Sequence, residues 1–400
     1  AYEIRNCDWS SDVCSSDLDA TLGCMRMVVS RDPIALPGIL RCAWALLRIC
    51  LAWLCTAAAM AQAPSAPKPF DLCVYGATSA GIAAAIQASR QGNTVVLLDC
   101  DGWVGGLTTS GLGATDVGAD AAIGGVSREF YRRIRTHYDL DASWTRETRA
   151  KFRGPGHAKG SDVAYTFEPH VASAVFAAML KEAKVVVQRD RLDRSTAGIE
   201  KQGPRIVAIH TEAGQRIAAR VFVDCSYEGD LMALAGCSYT VGREANAQYG
   251  ETLNGVQVAL STHHQFAAPV DARVDPSDPN SPLLPDVLPA PPGPDGSADR
   301  GVQAYCFRIC ATDIVANQLP WPKPEGYDPR DHELLVRSLQ HSAAFAPWHP
   351  TFMPNRKTDA NNNGAVSFDW IGHSASWPEA SYAERARLHE DHRRWQQGLL

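Results

Sequence analysis

Residues 70–99 constrain the fold more than any other stretch of this chain. FDLCVY (70–75) is a short, near-continuous apolar run, as expected of a parallel strand buried on both faces. It passes directly into Gly76-Ala77-Thr78-Ser79-Ala80-Gly81. The Ala-rich segment IAAAIQASRQG follows, closed by Gly92, and then TVVLLD, a second buried strand ending in Asp99. Each part has a mechanical reason in a dinucleotide-binding βαβ unit. Gly76 permits the tight turn out of the strand, and Gly81 lets the helix pack close to the sheet. The helix N-terminus offers free N–H groups and a positive dipole end to a pyrophosphate. Asp99 lies at the distance expected of a ribose acceptor. Thr78 replaces the second glycine of G-x-G-x-x-G, so its hydroxyl would have to face the phosphate. An Ala-rich helix after a buried strand also occurs without a ligand, but the complete strand–turn–helix–strand–Asp order favours a nucleotide.

Asp99 is followed by five residues and then Gly105-Gly106-Leu107-Thr108-Thr109-Ser110-Gly111-Leu112-Gly113, where a nicotinamide domain would continue with another crossover helix. GATSAGIAAAIQASRQGNTVVLLD with GGLTTSGLG resembles the FAD-dependent oxidoreductase family, in its secreted bacterial form. The resemblance implies that Gly105, Gly106, Thr108 and Thr109 contact the cofactor beside Gly76, Thr78, Ala80, Gly81 and Asp99. A second block, RIAARVFVD running into Cys225-Ser226-Tyr227-Glu228-Gly229-Asp230, matches the family pattern D-x-[ST]-x-x-G-D. It implies that Asp224, Gly229 and Asp230 lie near the flavin or its ribityl chain, although Asp230 would equally suit a helix N-terminus. Leu192, at the end of VVVQRDRL, is implied as an adenine contact. The resemblance runs from Phe70 to the end of the chain. It implies an α/β fold: a Rossmann-like, glutathione-reductase-like FAD-binding domain with an inserted or appended mixed substrate-binding region, and FAD as cofactor.

The expected organisation has five parts. Residues 1–24 contain CDWSSDVCSSDL, show neither helical nor strand periodicity, and resemble translated adapter sequence, so they read as a non-native tail. Residues 25–63 read as a signal peptide: Arg26, Arg31, Arg41 and Arg48 precede an apolar run ending in Ala-x-Ala sites. Arg48 leaves that run shorter than the ~20 residues of a membrane span, so no stable span is expected in the mature chain. Residues 64–69 form a linker, 70–237 the FAD-binding domain, and 238–400 the substrate-binding region. The family carries a further C-terminal segment, so this region is expected to be incomplete. Within the two regions, Val126, Phe130, Ile134 and Tyr138 mark one helix and Pro169 starts another. IVAIHT and RIAARVFV pair about Gly214. Asp271–Arg300 is rich in Pro, Asp and Ser and reads as a surface excursion, an insertion more than a catalytic element.

The formal net charge of −6, with no basic stripe, argues against a nucleic-acid partner. No Cys/His cluster has metal-ligand spacing, so no metal site is expected. Cys306 and Cys310 fall on one apparent strand, ~13 Å apart and too far for a disulfide. Most of the later cysteines read as small buried hydrophobes. For the chemistry beside a flavin, Arg308, Arg356 and His373 are the catalytic candidates. Arg308 carries the one charge in CFRIC, facing a cavity, an acidic partner or water. Arg356 opens the polar run Lys357-Thr358-Asp359, followed by Asn361-Asn362-Asn363, which reads as a loop that binds oxygen-rich ligands or as a solvated turn. His373 stands alone among Ser and Trp. The expected function is redox chemistry on a small polar substrate, such as a sugar or sugar acid, outside the cytoplasm, with a separate electron acceptor. The rivals are a non-redox carbohydrate-degrading protein of the polysaccharide-lyase kind and a flavoprotein fragment without activity.

Overall fold

Strands whose residues are apolar on both sides must be covered on both faces, and the first two strands of this fold are. The computed structural model describes residues 2–3, 68–342, 348–361 and 364–400. The expected signal peptide, nearly all of the expected tail, and Asn362 and Asn363 lie outside the described residues. Strand β1 (Phe70–Tyr75) leads through helix α1 (Ser79–Arg90) to β2 (Val95–Asp99). The chain then forms a single helical turn at Leu107–Ser110, followed by α2 (Gly125–Tyr138) and α3 (Pro169–Glu182), before β3 (Val186–Arg189). A three-stranded meander follows: β4 (Ile199–Gln202), β5 (Arg205–His210) and β6 (Arg216–Asp224).

These strands make one six-stranded sheet in the order β3-β2-β1-β6-β5-β4. β3, β2, β1 and β6 run parallel, with Leu72 opposite Val95 and Tyr75 opposite Asp224. The meander is antiparallel. Alternate residues of β1 and β2 feed two cores. Val74 and Leu97 pack with Ile82, Ile86, Phe130, Ile134 and Phe176 beneath the helices. Cys73, Tyr75, Val96 and Leu98 pack with Leu192, Ile209, Ile217 and Leu231 on the other face. Phe130 stacks on Phe176 at 4.3 Å between centroids and locks α2 to α3. Pro169 starts α3 without sacrificing a helix hydrogen bond. The strand order turns about β1, so the C-terminal ends of β1 and β6 frame a crevice of the kind that open parallel sheets use for ligands.

Later in the chain a smaller antiparallel sheet forms. Strand β7 (Ile309–Thr312) pairs with β9 (Lys357–Asn361), which pairs with β8 (His349–Met353). Tyr2–Glu3 adds a two-residue edge strand to β7, too short for any periodicity to have marked it. Helices α5 (Glu333–His341) and α6 (Tyr382–Leu399) flank this part, and α4 (Asp230–Leu234) follows β6. Residues 69–400 belong to one compact unit.

Two expectations about the cysteines change. Cys306 lies outside the strand, which begins at Ile309. Before it, the Phe307 N–H donates to Gln396 Oε1 at 2.7 Å, and Gln396 Nε2 donates to the Phe307 carbonyl. A side-chain amide from α6 therefore stands where a strand partner would, and the ladder starts later. Nor are most of the six described cysteines, which form no disulfide, fully buried: Cys73 is, Cys100, Cys225, Cys306 and Cys310 are half-buried, and Cys237 is exposed. Among the described residues no helix is long and apolar enough to cross a membrane, and no cluster of potential metal ligands occurs.

Candidate functional site

The turn after β1 admits nothing larger than glycine at two positions. Gly76 has φ +98°, and a Cβ there would lie 2.5 Å from the Ser226 nitrogen. A Cβ on Gly81 would lie 2.0 Å from the Gly76 carbonyl oxygen. Helix α1 therefore starts in contact with its own turn and with the end of β6. The first i→i−4 bond is Ile82 N–H to the Thr78 carbonyl, 2.9 Å, so the N–H groups of Ser79 and Ala80 lie ahead of the ladder. Ala80 is exposed there. The Thr78 hydroxyl accepts from Gly81 N–H at 3.2 Å and donates to the Cys225 carbonyl at 2.8 Å. It caps the helix and ties it to β6; it is buried and turned inward, with its hydroxyl engaged inside the protein.

The glycine pair folds back onto this helix start. Gly105 N–H donates to the Ala77 carbonyl at 2.7 Å, forming a parallel bridge beside Thr78. Ser79 Oγ donates to the Gly105 carbonyl and lies 2.7 Å from Thr108 Oγ1. Gly106 has φ +55°, and a Cβ on it would lie 2.2 Å from the Tyr227 hydroxyl oxygen. That hydroxyl accepts from Leu107 N–H at 2.9 Å. Gly105, Gly106 and Thr108 are thus brought to the N-terminus of α1. Thr109 is buried, and its hydroxyl is taken by the Val104 carbonyl at 2.9 Å. Ser79 and Tyr227 are parts of this arrangement that the motif pattern did not single out. Only their places inside the two motif stretches signalled them.

Asp99 stands at the end of β2, almost completely buried. Its Oδ1 accepts Gly102 N–H at 2.9 Å. Among the described residues its Oδ2 has no hydrogen-bond partner, which leaves one oxygen for a ribose hydroxyl. Leu192 is fully buried. Its carbonyl accepts the Tyr382 hydroxyl at 3.0 Å, and its N–H points to the Tyr75 hydroxyl at 3.4 Å. The second motif is held by the protein itself. Asp224 accepts from Ser226 N–H and Oγ with one oxygen and from Met232 N–H with the other. Gly229, with φ +71°, is the N-cap of α4. Asp230 is gripped by Arg385 from α6 at 2.6 and 2.9 Å. Within the chain, Asp224 serves the turn and Asp230 the docking of α6.

The three catalytic candidates do not come together. Arg308 Nε and Nη2 each lie 2.8 Å from Asp359 Oδ1, so its partner is acidic, as one of its readings allowed. Asp359 is fully buried, and its Oδ2 accepts Gly113 N–H at 3.1 Å, tying the smaller sheet to the glycine-rich loop. Arg356 is exposed and pairs with Asp313. The run that reads as a polar loop is mostly strand β9. His373 stacks on Trp370 at 3.7 Å and contacts Asp286, and it shares no contact with the glycine turn. A buried network that the sequence did not reveal lies between β9 and α3. Glu168 takes hydrogen bonds from Tyr138 at 3.1 Å and Asn355 at 2.8 Å and an ion pair from Lys357 at 3.0 Å. Asn355 adopts φ +64°, held there because its Oδ1 also accepts Thr145 N–H at 2.7 Å.

The sheet order and the turn define a dinucleotide-binding α/β protein of the flavoprotein kind. The chain belongs to the FAD dependent oxidoreductase family, whose model matches residues 71–400, and its cofactor is FAD. The residues present fit that group: two glycines pack where any Cβ would collide, a helix terminus is open at Ala80, and one oxygen of a buried carboxylate has no partner. Partial likeness to solved structures is also found. L-proline dehydrogenase from P. horikoshii is 15% identical with a TM-score of 0.28, the match covering 45% of this chain and 59% of that one. L-amino acid deaminase from Proteus vulgaris, with its specific insertion deleted, is 17% identical with a TM-score of 0.30, covering 46% and 59%. The GidA-related protein from Thermus thermophilus is 13% identical with a TM-score of 0.26, covering 40% and 53%. The chain spans less than two thirds of each of these proteins. No match is found among curated proteins.

Proposed function

We propose that the whole protein is an oxidoreductase that acts, outside the cytoplasm, on a small polar molecule of the sugar or sugar-acid class and passes electrons to a separate acceptor. FAD supplies the redox chemistry when bound. The chain's own residues do the holding. The N–H groups at Ser79 and Ala80 face an anion, Asp99 Oδ2 accepts from a hydroxyl, and Gly76 and Gly81 let the backbone approach. The observation that carries the reading is the glycine cradle, where a Cβ on Gly81 would stand 2.0 Å from a backbone oxygen. The proposed location rests on the export-like pattern of residues 25–63, and the substrate class on the polar composition of residues 356–363.

The test is flavin content. Wild type, Gly81→Val and Gly124→Ala are purified and denatured, and released flavin is measured. Gly124 has nothing within 4 Å of its Cβ position and serves as the control. Flavin should be lost in Gly81→Val and kept in Gly124→Ala. Equal flavin in all three would refute the assignment. Turnover of a panel of sugars and sugar acids with an artificial electron acceptor then tests the substrate class.

A further inference from the structure

A cavity of about 450 Å³ lies away from the glycine turn, between α6, the segment before α5 and the Pro-rich stretch 271–300. None of the cofactor-binding candidates lines it. We propose that it is a binding site for a small organic ammonium ion.

Its wall is aromatic and built with care for position. Trp370 and Trp395 stack at 5.3 Å between centroids, and His373 lies parallel to Trp370. Asp286 holds all three in place. Its carboxylate accepts from Trp370 Nε1 at 2.8 Å and Trp395 Nε1 at 3.0 Å, and it contacts His373 Nε2 at 2.8 Å. To do so Asp286 adopts φ +69°, a conformation that costs a non-glycine residue free energy and persists only where the surroundings over-determine it. The stretch that reads as a plain surface excursion thus supplies a wall of the cavity.

The rim is acidic. Asp328 is paired with Arg330, and Asp391 with Arg387. Glu325 and Asp331 also line the cavity and form no ion pair or hydrogen bond through their carboxylates among the described residues. Arg394 is the one arginine among the lining residues. His332, which lines the cavity too, is 7% exposed, and its Nδ1 has no hydrogen-bond partner. Burial holds this imidazole below its ordinary pKa, so it adds no positive charge to the acidic rim. Tyr327 already shows the local preference: Lys323 Nζ sits 4.6 Å from its ring centroid. Unpaired carboxylates and an aromatic wall suit a cation with N–H donors and an alkyl body. They suit an uncharged polyol less well, since a polyol would leave Arg394 alone to offset the two carboxylates.

The proposal does not rest on the redox reading. The purified full chain is titrated with putrescine by calorimetry, with tryptophan fluorescence as a second readout and glucose as the uncharged comparison. Saturable putrescine binding that perturbs tryptophan emission and weakens with added salt is expected. Glu325→Gln/Asp331→Asn should weaken it at least tenfold while flavin content stays at the wild-type level. Glu325 is exposed, so Glu325→Gln alone provides a variant that folds and should weaken binding measurably. Absence of saturable putrescine binding, unchanged affinity in Glu325→Gln and the double variant, or glucose binding as tightly as putrescine would overturn the proposal.

Discussion

Arg385 holds both carboxylate oxygens of Asp230, at 2.6 and 2.9 Å, with both side chains buried. The arginine is otherwise satisfied by the carbonyls of Trp377 and Pro378. One end of the pair sits at the start of α4, just after β6, and the other on α6. The pair therefore fixes the C-terminal helix to the exit of the parallel sheet. Breaking a buried pair from one side costs up to about 3–5 kcal/mol, toward the lower end here because Arg194 Nε remains 3.5 Å from Asp230 Oδ1. Arg385→Leu should lower stability by that order in urea denaturation, and Arg385→Leu/Asp230→Leu should recover a substantial part.

Arg308 is expected to act as a structural anchor. Arg308→Leu leaves Asp359, which is fully buried, without its counter-charge, and should destabilise by about 3–5 kcal/mol. Arg308→Leu/Asp359→Asn should regain much of that, since the amide oxygen can still accept from Gly113 N–H. Urea melts of the two variants check the stability. If the double variant is well folded yet has lost turnover with unchanged KM, Arg308 has a role in the reaction that anchoring does not explain.

Asp99 offers one oxygen to a ligand and keeps the other for Gly102. Asp99→Asn preserves an acceptor for the turn but removes the charge. A charge-assisted hydrogen bond contributes about 1.5–3 kcal/mol, so FAD affinity should fall about tenfold or more. Fluorescence titration of flavin-stripped protein measures it. An unchanged affinity would place the ribose elsewhere.

Acid should weaken the C-terminal part. His332 and His392 are buried, and burial holds both below the ordinary imidazole value of 6.5. Unfolded, they take up protons near pH 6.5; folded, they resist. The unfolded state then binds more protons, so stability falls as pH drops through 6.5. Urea melts between about pH 7.5 and 5 should show this decline, and His392→Gln should make it shallower.

The parts legible in the sequence are those in which one local pattern determines the structure. FDLCVY and TVVLLD could only be strands covered on both faces, and Pro169 could only begin a helix. The glycines at 76 and 81 announce close backbone approaches, and those approaches are present. Arg385 was not legible because α6 carries charge around most of its circumference, and nothing in such a pattern marks the one arginine that turns inward. Thr78 occupies a motif position whose usual role is toward the ligand, but the nearest unsatisfied groups were the Gly81 N–H and the Cys225 carbonyl. Asp286 was hidden by its setting, since a proline-rich stretch carries no periodicity to show which carboxylate faces two indoles. Gln396 reaches Phe307 across 89 positions of chain, a pairing no local rule anticipates.

The bond from Gly105 N–H to the Ala77 carbonyl makes residues 100–104 a strap of fixed span. One end is anchored where β2 stops at Asp99, the other where the glycine pair meets the turn. Insertions and deletions are absorbed where a chain can bulge into solvent, as at the open turn around Gly203. The strap has no such freedom. One residue more or fewer would move the glycine pair out of step with the helix it faces. The length of this short connection should therefore be the least negotiable feature of the domain.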